Sequence, residues 1–269
     1  MHTDARLAFW ATMGLGGGPV LFYRGFKALR TRRLIADTPT ARIRSMAMGL
    51  VEVNGVVEPR SSVNAPFSGK TCAYWEIDIS TPFRNGWDVV YRDRSGSPFF
   101  LRDEDGVALV YPHGANCKIP FGTDEVCTGS NLPPAYNEYM RAHPSAIGRL
   151  YRLGRLRFRE RTIDVGTQIY VLGTAMPRAQ EQVIAEGDLL QATGTDDADV
   201  TRLRTLDHQV SGVIRRGENE STFIISEVSE RSLMTELGAQ LTLQLVGGPL
   251  FTLSGLGYWL LVWHFRRLF

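Results

Sequence analysis

The chain has 269 residues, of which 43% are hydrophobic and 22% charged, and its formal net charge is +2. These are the averages of an ordinary globular protein. Its three cysteines, Cys72, Cys117 and Cys127, include no CxxC pair, which excludes a full disulfide framework and leaves at most one bridge with a free thiol.

The averages conceal two charge-free hydrophobic stretches at residues 7–23 and 237–265. The first, LAFWATMGLGGGPVLFY, is at the short limit for crossing a bilayer. Asp4 and the lack of a small-residue cleavage site around Pro19 and Tyr23 favour an anchor over a signal peptide. Arg24, Lys27, Arg30, Arg32 and Arg33 follow it against Arg6 before it, so the positive-inside rule places the central segment in the cytoplasm. A short helix is expected over 41–48, introduced by Asp37, Thr38 and Pro39 and stopped by Gly49, with Arg42 and Arg44 facing anionic headgroups.

From Leu50 the period changes. Residues 50–58 read as a strand with a turn or bulge at Asn54-Gly55, and 71–80 and 87–92 as further strands. Residues 98–111 form the best local hairpin, with Asp103-Glu104-Asp105-Gly106 as turn chemistry, since the spaced calcium-loop pattern is missing. A helical insertion is expected within 131–151, opened by Pro133-Pro134 and interrupted at His143-Pro144. Strict alternation in 156–163 puts Arg157, Arg159 and Arg161 on one strand face, and 167–174 reads as a buried strand ended by glycine. A polar loop at 193–199, a last strand at 221–226 and a helix at 227–240 lead into the second apolar stretch. That stretch exceeds the roughly 20 residues a span requires, and Tyr258, Trp259, Trp263, Arg266 and Arg267 resemble an interfacial anchor. Arg266 and Arg267 pull the orientation the other way.

Both apolar stretches carry Gly-Gly-Pro, at Gly17-Gly18-Pro19 and Gly247-Gly248-Pro249, which favours close helix packing within a hairpin, with a homo-oligomer or with another membrane protein. The expected fold class is α+β: a mainly β soluble domain with a helical insertion, anchored by two transmembrane helices. The expected boundaries are 1–33 with a span at about 7–23, the soluble domain at 34–236, and 237–269 with a span at about 241–265.

Catalytic signatures are thin. The five histidines form no HExxH, and neither a GxSxG nor a Walker A motif occurs. The Gly14 to Gly18 run has no strand before it and reads as helix packing, so no catalytic residue and no cofactor are expected. His113, Cys117 and Cys127 are the only weak metal candidates, three ligands without a fourth. Arg157, Arg159 and Arg161 are the candidate partner-binding residues, read as a solvated sheet face because Glu160 intervenes, and no nucleic acid is expected. Charge-free spans argue against an ion path.

The order of DTPTARIRSMAMGLVEVNG (37–55), APFSGKTCAYWEIDI (65–79), PFFLRDEDGVALVYP (98–112), ERTIDVGTQIYVLGTA (160–175) and FIISEVSERSL (223–233), set between two membrane segments, resembles the GIDE family. The resemblance covers nearly the whole chain and contains no catalytic motif. It implies a beside-a-membrane (BAM) domain, which in eukaryotic members belongs to mitochondrial RING ubiquitin or SUMO ligases. A RING needs paired Cys/His zinc ligands, whereas Arg266, Arg267, Leu268 and Phe269 alone follow the second stretch here. The expectation is therefore a RING-less, prokaryotic-type member in the plasma membrane, without ligase activity. Its role would be that of an interaction or assembly module, with the soluble domain cytoplasmic by charge count and periplasmic by family analogy. The alternatives are a component of a ubiquitin-ligase-like pathway or an unrecognised membrane-associated hydrolase.

Overall fold

The structure, a computed structural model, describes residues 2–144, 154–178, 197–218, 220, 222–227 and 230–268. The chain divides into two compact units, Pro39–Val228 and the pair Met1–Thr38 with Ser229–Phe269.

In the larger unit the strands, in chain order, are β1 (Gly49–Pro59), β2 (Val63–Asn64), β3 (Thr71–Cys72), β4 (Tyr74–Phe83), β5 (Gly86–Arg94), β6 (Phe99–Arg102) and β7 (Val107–Val110). They continue with β8 (Asn116–Lys118), β9 (Thr123–Thr128), β10 (Arg155–Ile163), β11 (Gln168–Met176), β12 (Val210–Arg215) and β13 (Ile224–Ser226). The ring β1-β6-β7-β12-β11 closes where β11 pairs back on β1, giving a five-stranded barrel. The two-residue period of a strand puts Val51, Val53, Phe99, Leu101, Ala108, Val110, Ile169, Val171 and Ile214 in one buried cluster.

The hairpin expected at 98–111 forms as β6 and β7. Its turn is fixed by Asp103, whose Oδ1 accepts from the backbone N–H groups of Asp105 and Gly106 at 2.8 and 2.7 Å. Three local expectations are corrected. The helix expected over 41–48 is only a 3-10 turn, Ile43–Ser45, because Ala41 N–H donates to Glu52 O at 2.7 Å and the segment begins by lying along β1. Asn54-Gly55 is no turn: β1 runs straight through it, and a Cβ at Gly55 would lie 2.6 Å from Arg102 O, so this glycine permits the close approach of β6. Gly173 does not end its strand, since a Cβ there would lie 2.8 Å from Ile214 Cγ2 and 2.9 Å from Phe223 Cδ2. It sits inside β11 because the barrel core leaves no room for a side chain. Of the polar loop expected at 193–199, residues 193–196 lie outside the described residues, and 197–199 begin a helix, Asp197–Gln209.

The second sheet has the order β5-β4-β10-β9. We designate the long N-terminal helix α1 (His2–Asp37), the insertion between β9 and β10 α2 (Pro134–Ala142), the helix before β12 α3 (Asp197–Gln209) and the last helix α4 (Glu230–Leu268). α2 is the helical insertion expected from Pro133-Pro134, and Pro134 opens it where a missing N–H costs nothing. Its Tyr136, Tyr139 and Met140 bury one sheet face together with Phe67, Ile77, Ile79, Leu156 and Phe158. Tyr136 donates to Glu125 Oε2 of β9 at 2.9 Å and Tyr139 to Asp93 of β5, so the helix is held at both edges of the sheet. The opposite sheet face is therefore left for other chemistry.

In the smaller unit α1 and α4 run antiparallel along a seam of small residues. A Cβ at Gly14 would lie 2.5 Å from Phe251 O, one at Gly18 2.7 Å from Gly248 O, and one at Gly248 2.9 Å from Gly18 O. The second glycine of each Gly-Gly-Pro thus meets its counterpart at backbone contact distance. Of the two expected spans, one is matched by length and apolarity. Among the described residues one helical segment, Gln244–His264, is long and apolar enough to cross a membrane. α1 falls short because Gly14 and Gly16 to Gly18 add no apolar side chain to its hydrophobic stretch. Large apolar side chains nevertheless point outward from both helices, among them Phe9, Trp10 and Phe22 of α1 and Leu250, Leu253 and Trp263 of α4.

Candidate functional site

β4 places Ile77 and Ile79 toward α2 and, by alternation, Glu76, Asp78 and Ser80 on the opposite face. Glu76 and Asp78 are 2% and 1% exposed. Two buried carboxylates require partners, and the register of both neighbouring strands supplies them. Asp78 lies opposite Arg92 of β5 and Arg159 of β10, and Glu76 opposite Arg94 and Arg161.

The result is a ladder of charge across three strands. Arg92 Nε donates to Asp78 Oδ1 at 2.6 Å and its Nη2 to Oδ2 at 3.3 Å, while Arg159 Nη2 donates to Asp78 Oδ2 at 3.1 Å. Arg94 Nε and Arg161 Nη2 lie 3.4 and 3.5 Å from the Glu76 carboxylate. Arg161 also donates through Nη1 to Cys117 O at 2.6 Å, tying the ladder to β8. The Phe121 ring meets the guanidinium faces of Arg159 and Arg161 at 4.3 and 4.2 Å. At this distance the ring quadrupole attracts both cations. The Asp78 hydrogen bond shifts Arg92 further above its ordinary value, so its charge is permanent.

The face changes character toward the β4–β5 turn. Arg157 forms a two-point pair with Asp124 of β9, Nε to Oδ1 at 2.6 Å and Nη2 to Oδ2 at 2.5 Å. That hydrogen bond holds the Asp124 carboxyl below the usual range. Arg155 is exposed, and its guanidinium and that of Arg157 each sit 5.8 Å from the Trp87 ring centre. Beyond them is the turn itself, where Phe83 is 59% exposed beside Arg84. A bulge between Ile79 and Ser80 leaves Val90 as an extra, exposed residue of β5.

The three sequence-predicted arginines thus share one face but not one environment. The Arg157 side chain is 27% exposed and paired with exposed Asp124 next to exposed Arg155, whereas those of Arg159 and Arg161 are 21% and 13% exposed and engaged with the buried carboxylates of the ladder. The solvated-face reading is corrected for these two, because β4 brings buried carboxylates opposite them. Arg92, Arg94, Arg155, Trp87 and Phe121 belong to the same face. Only the alternation in 155–161 was available from sequence to find any of them.

The metal candidates do not assemble. Cys117 belongs to the barrel cluster and Cys127 packs against the α2 cluster, and among the described residues no three His, Cys, Asp or Glu side chains converge as ligands. Burial pushes the Cys117 and Cys72 thiols up to about 11, keeping both protonated near neutrality.

A second concavity, an open cleft of about 730 Å³, lies beside the β6–β7 turn and is lined by Thr40, Asn54, Arg102 and Gln168 among others. Across it Arg42 pairs with Asp105 at 2.5 Å, and the second Asp103 carboxylate oxygen accepts from Ile43 N–H. Its acidic turn is therefore occupied in holding the 3-10 segment against the barrel.

No protein-family model, curated protein or solved structure matches the chain.

Proposed function

We propose that this chain is a membrane-tethered binding module, comparable to the non-catalytic part of the GIDE-type proteins it resembles, and that it recognises an acidic partner protein. In this reading α1 crosses the bilayer beside α4. The backbone-close glycine seam and the outward apolar side chains of both helices support that pairing, since membrane helices associate through small residues and present large apolar ones to lipid. The larger unit then enters and leaves the membrane on one side, the cytoplasmic one by the basic residues 24–33.

The observation that carries the binding role is the accessible end of the arginine face. Six arginines, at 92, 94, 155, 157, 159 and 161, share it with three paired carboxylates, Glu76, Asp78 and Asp124, leaving a local excess of positive charge beside partly buried Trp87 and exposed Phe83. Arginine and aromatic residues are enriched where proteins bind one another, and a fixed positive patch steers acidic partners. Co-purification from gently solubilised membranes tests it. The double variant Arg155→Glu, Arg157→Glu is expected to lose an acidic partner at least about tenfold while remaining in carbonate-washed membranes, with Val165→Glu as an exposed control. Undiminished recovery of the same partner by the double variant would overturn the proposal.

A further inference from the structure

Resting on that reading of the face, we propose that its ligand is an extended segment of the partner with carboxylates at every second residue, laid along β10. Arg155, Arg157 and Arg159 recur at two-residue intervals on one strand, which sets their origins about 6.6–6.8 Å apart. An extended peptide presents its alternate side chains at the same interval, so carboxylates at i and i+2 meet the Arg155 and Arg157 guanidinium positions in step, and one at i+4 comes level with Arg159, whose Nη2 is already given to Asp78.

The positions differ in what they offer. Arg155 has no ion-pair partner among the described residues, and its guanidinium sits 5.8 Å from the Trp87 ring centre. Arg157 gives Nε and Nη2 to Asp124, so Nη1 is its remaining donor group. At the third level Arg92, with a side chain 47% exposed, stands across Asp78 from Arg159. Trp87 and Phe121 hold guanidinium planes from the two ends of the row, reducing the ordering cost of binding.

The edges of this sheet are less suited to a ligand than its face. β5 is bulged at Val89 and Val90, and β9 carries exposed Asp124 and Glu125, both devices that discourage strand addition. A continuous phosphate backbone is also disfavoured, because Asp78, Glu76 and Asp124 lie between the arginines and the chain carries a net charge of only +2. A peptide with discrete, spaced carboxylates avoids those acidic positions.

The test uses the full chain in detergent micelles and fluorescence anisotropy with two labelled peptides of identical composition, one alternating Glu and Thr, the other carrying the Glu residues in one block. Unlabelled oligothymidylate and a short-chain anionic phospholipid serve as competitors. The alternating peptide is expected to bind at least about tenfold more tightly than its block isomer, a difference of about 1.4 kcal/mol, and to lose at least that factor on Arg155→Glu. Arg155→Lys, which keeps the charge but not the two-point geometry, is expected to fall between. Equal binding of the two peptides, no binding of either, or tighter binding of the oligonucleotide or the lipid would each overturn the inference. If equal or absent peptide binding coincides with loss of the cellular partner on Arg155→Glu, Arg157→Glu, the spacing argument alone has failed. If the double variant leaves both peptide binding and partner recovery unchanged, the binding role of the face has failed as well.

Discussion

Asp78→Ala removes the carboxylate that Arg92 reaches at 2.6 and 3.3 Å and Arg159 at 3.1 Å, and to which Arg161 adds charge at 3.9 Å. Asp78 is almost fully buried, so the lost acceptor is not replaced by bulk water where it stood. Removing one partner of a buried pair costs about 3–5 kcal/mol, because the remaining charge stays desolvated. Arg92 is half-exposed and recovers part of its hydration, while Arg159 and Arg161 recover little, so the expected loss is about 2–4 kcal/mol. That is a large share of the roughly 5–15 kcal/mol that holds a domain folded. Urea unfolding of the full chain in micelles, followed by tryptophan emission with Trp75 and Trp87 on this sheet, measures it. Arg155→Ala, at the accessible end, is expected to stay within about 0.5 kcal/mol of the parent. A similar cost for the two variants, or a loss below about 0.5 kcal/mol for Asp78→Ala, would refute the division of the face into a buried ladder and an accessible end.

Three further outcomes are expected. Iodoacetamide at pH 8 should modify Cys127 in the folded chain and reach Cys72 and Cys117 only in denaturant, since burial keeps those two thiols protonated; native modification of Cys117 would contradict its place in the barrel core. Gly18→Leu and Gly248→Leu should each lower the melting temperature in micelles through about 1–3 kcal/mol of overpacking, while Gly16→Leu, whose added Cβ meets nothing within 4 Å, leaves it unchanged; equal effects would dissolve the seam. Asp124 has a carboxyl pKa lowered by Arg157, so its contribution is present above the unfolded value of about 3.9 and is lost as pH falls through the folded one. Asp124→Asn should therefore destabilise at pH 7 by less than about 1 kcal/mol, with the gap to the parent closing at acid pH and a gap that widens there as the contrary result.

Local signals were legible and register was not. The hairpin at Asp103 to Gly106 and the alternation of 156–163 depend on neighbouring residues, and both elements form where the pattern placed them. The ladder depends on Asp78 falling opposite Arg92, set by the β4–β5 turn and its bulge, and opposite Arg159, set by the long-range pairing of β4 with β10, neither of which composition encodes. Asn54-Gly55 and Gly173 misled for one reason: each glycine answers a neighbour brought close by the barrel, Arg102 in one case and Ile214 with Phe223 in the other. The α3 helix was hidden by its polar sequence; among its described side chains Leu206 joins it to the cluster of Phe100, Leu109 and Val213. In the helix pair the Gly-Gly-Pro repeats pointed to contact, and the same glycines that make the seam keep α1 below the apolarity of a typical span.

Site-specific photocrosslinking in native membranes tests most directly whether the accessible arginine face of a membrane-held domain recognises an acidic partner. A photoreactive residue is placed at Arg155 and, in a second chain, at exposed Val165 in the turn between β10 and β11. The expected result is a covalent adduct from position 155 that persists in carbonate-washed membranes, is suppressed by the alternating Glu/Thr peptide, and is missing from position 165. Adducts of equal yield at both positions, an adduct at 155 that the peptide does not suppress, or recovery of the chain in the carbonate supernatant would contradict it.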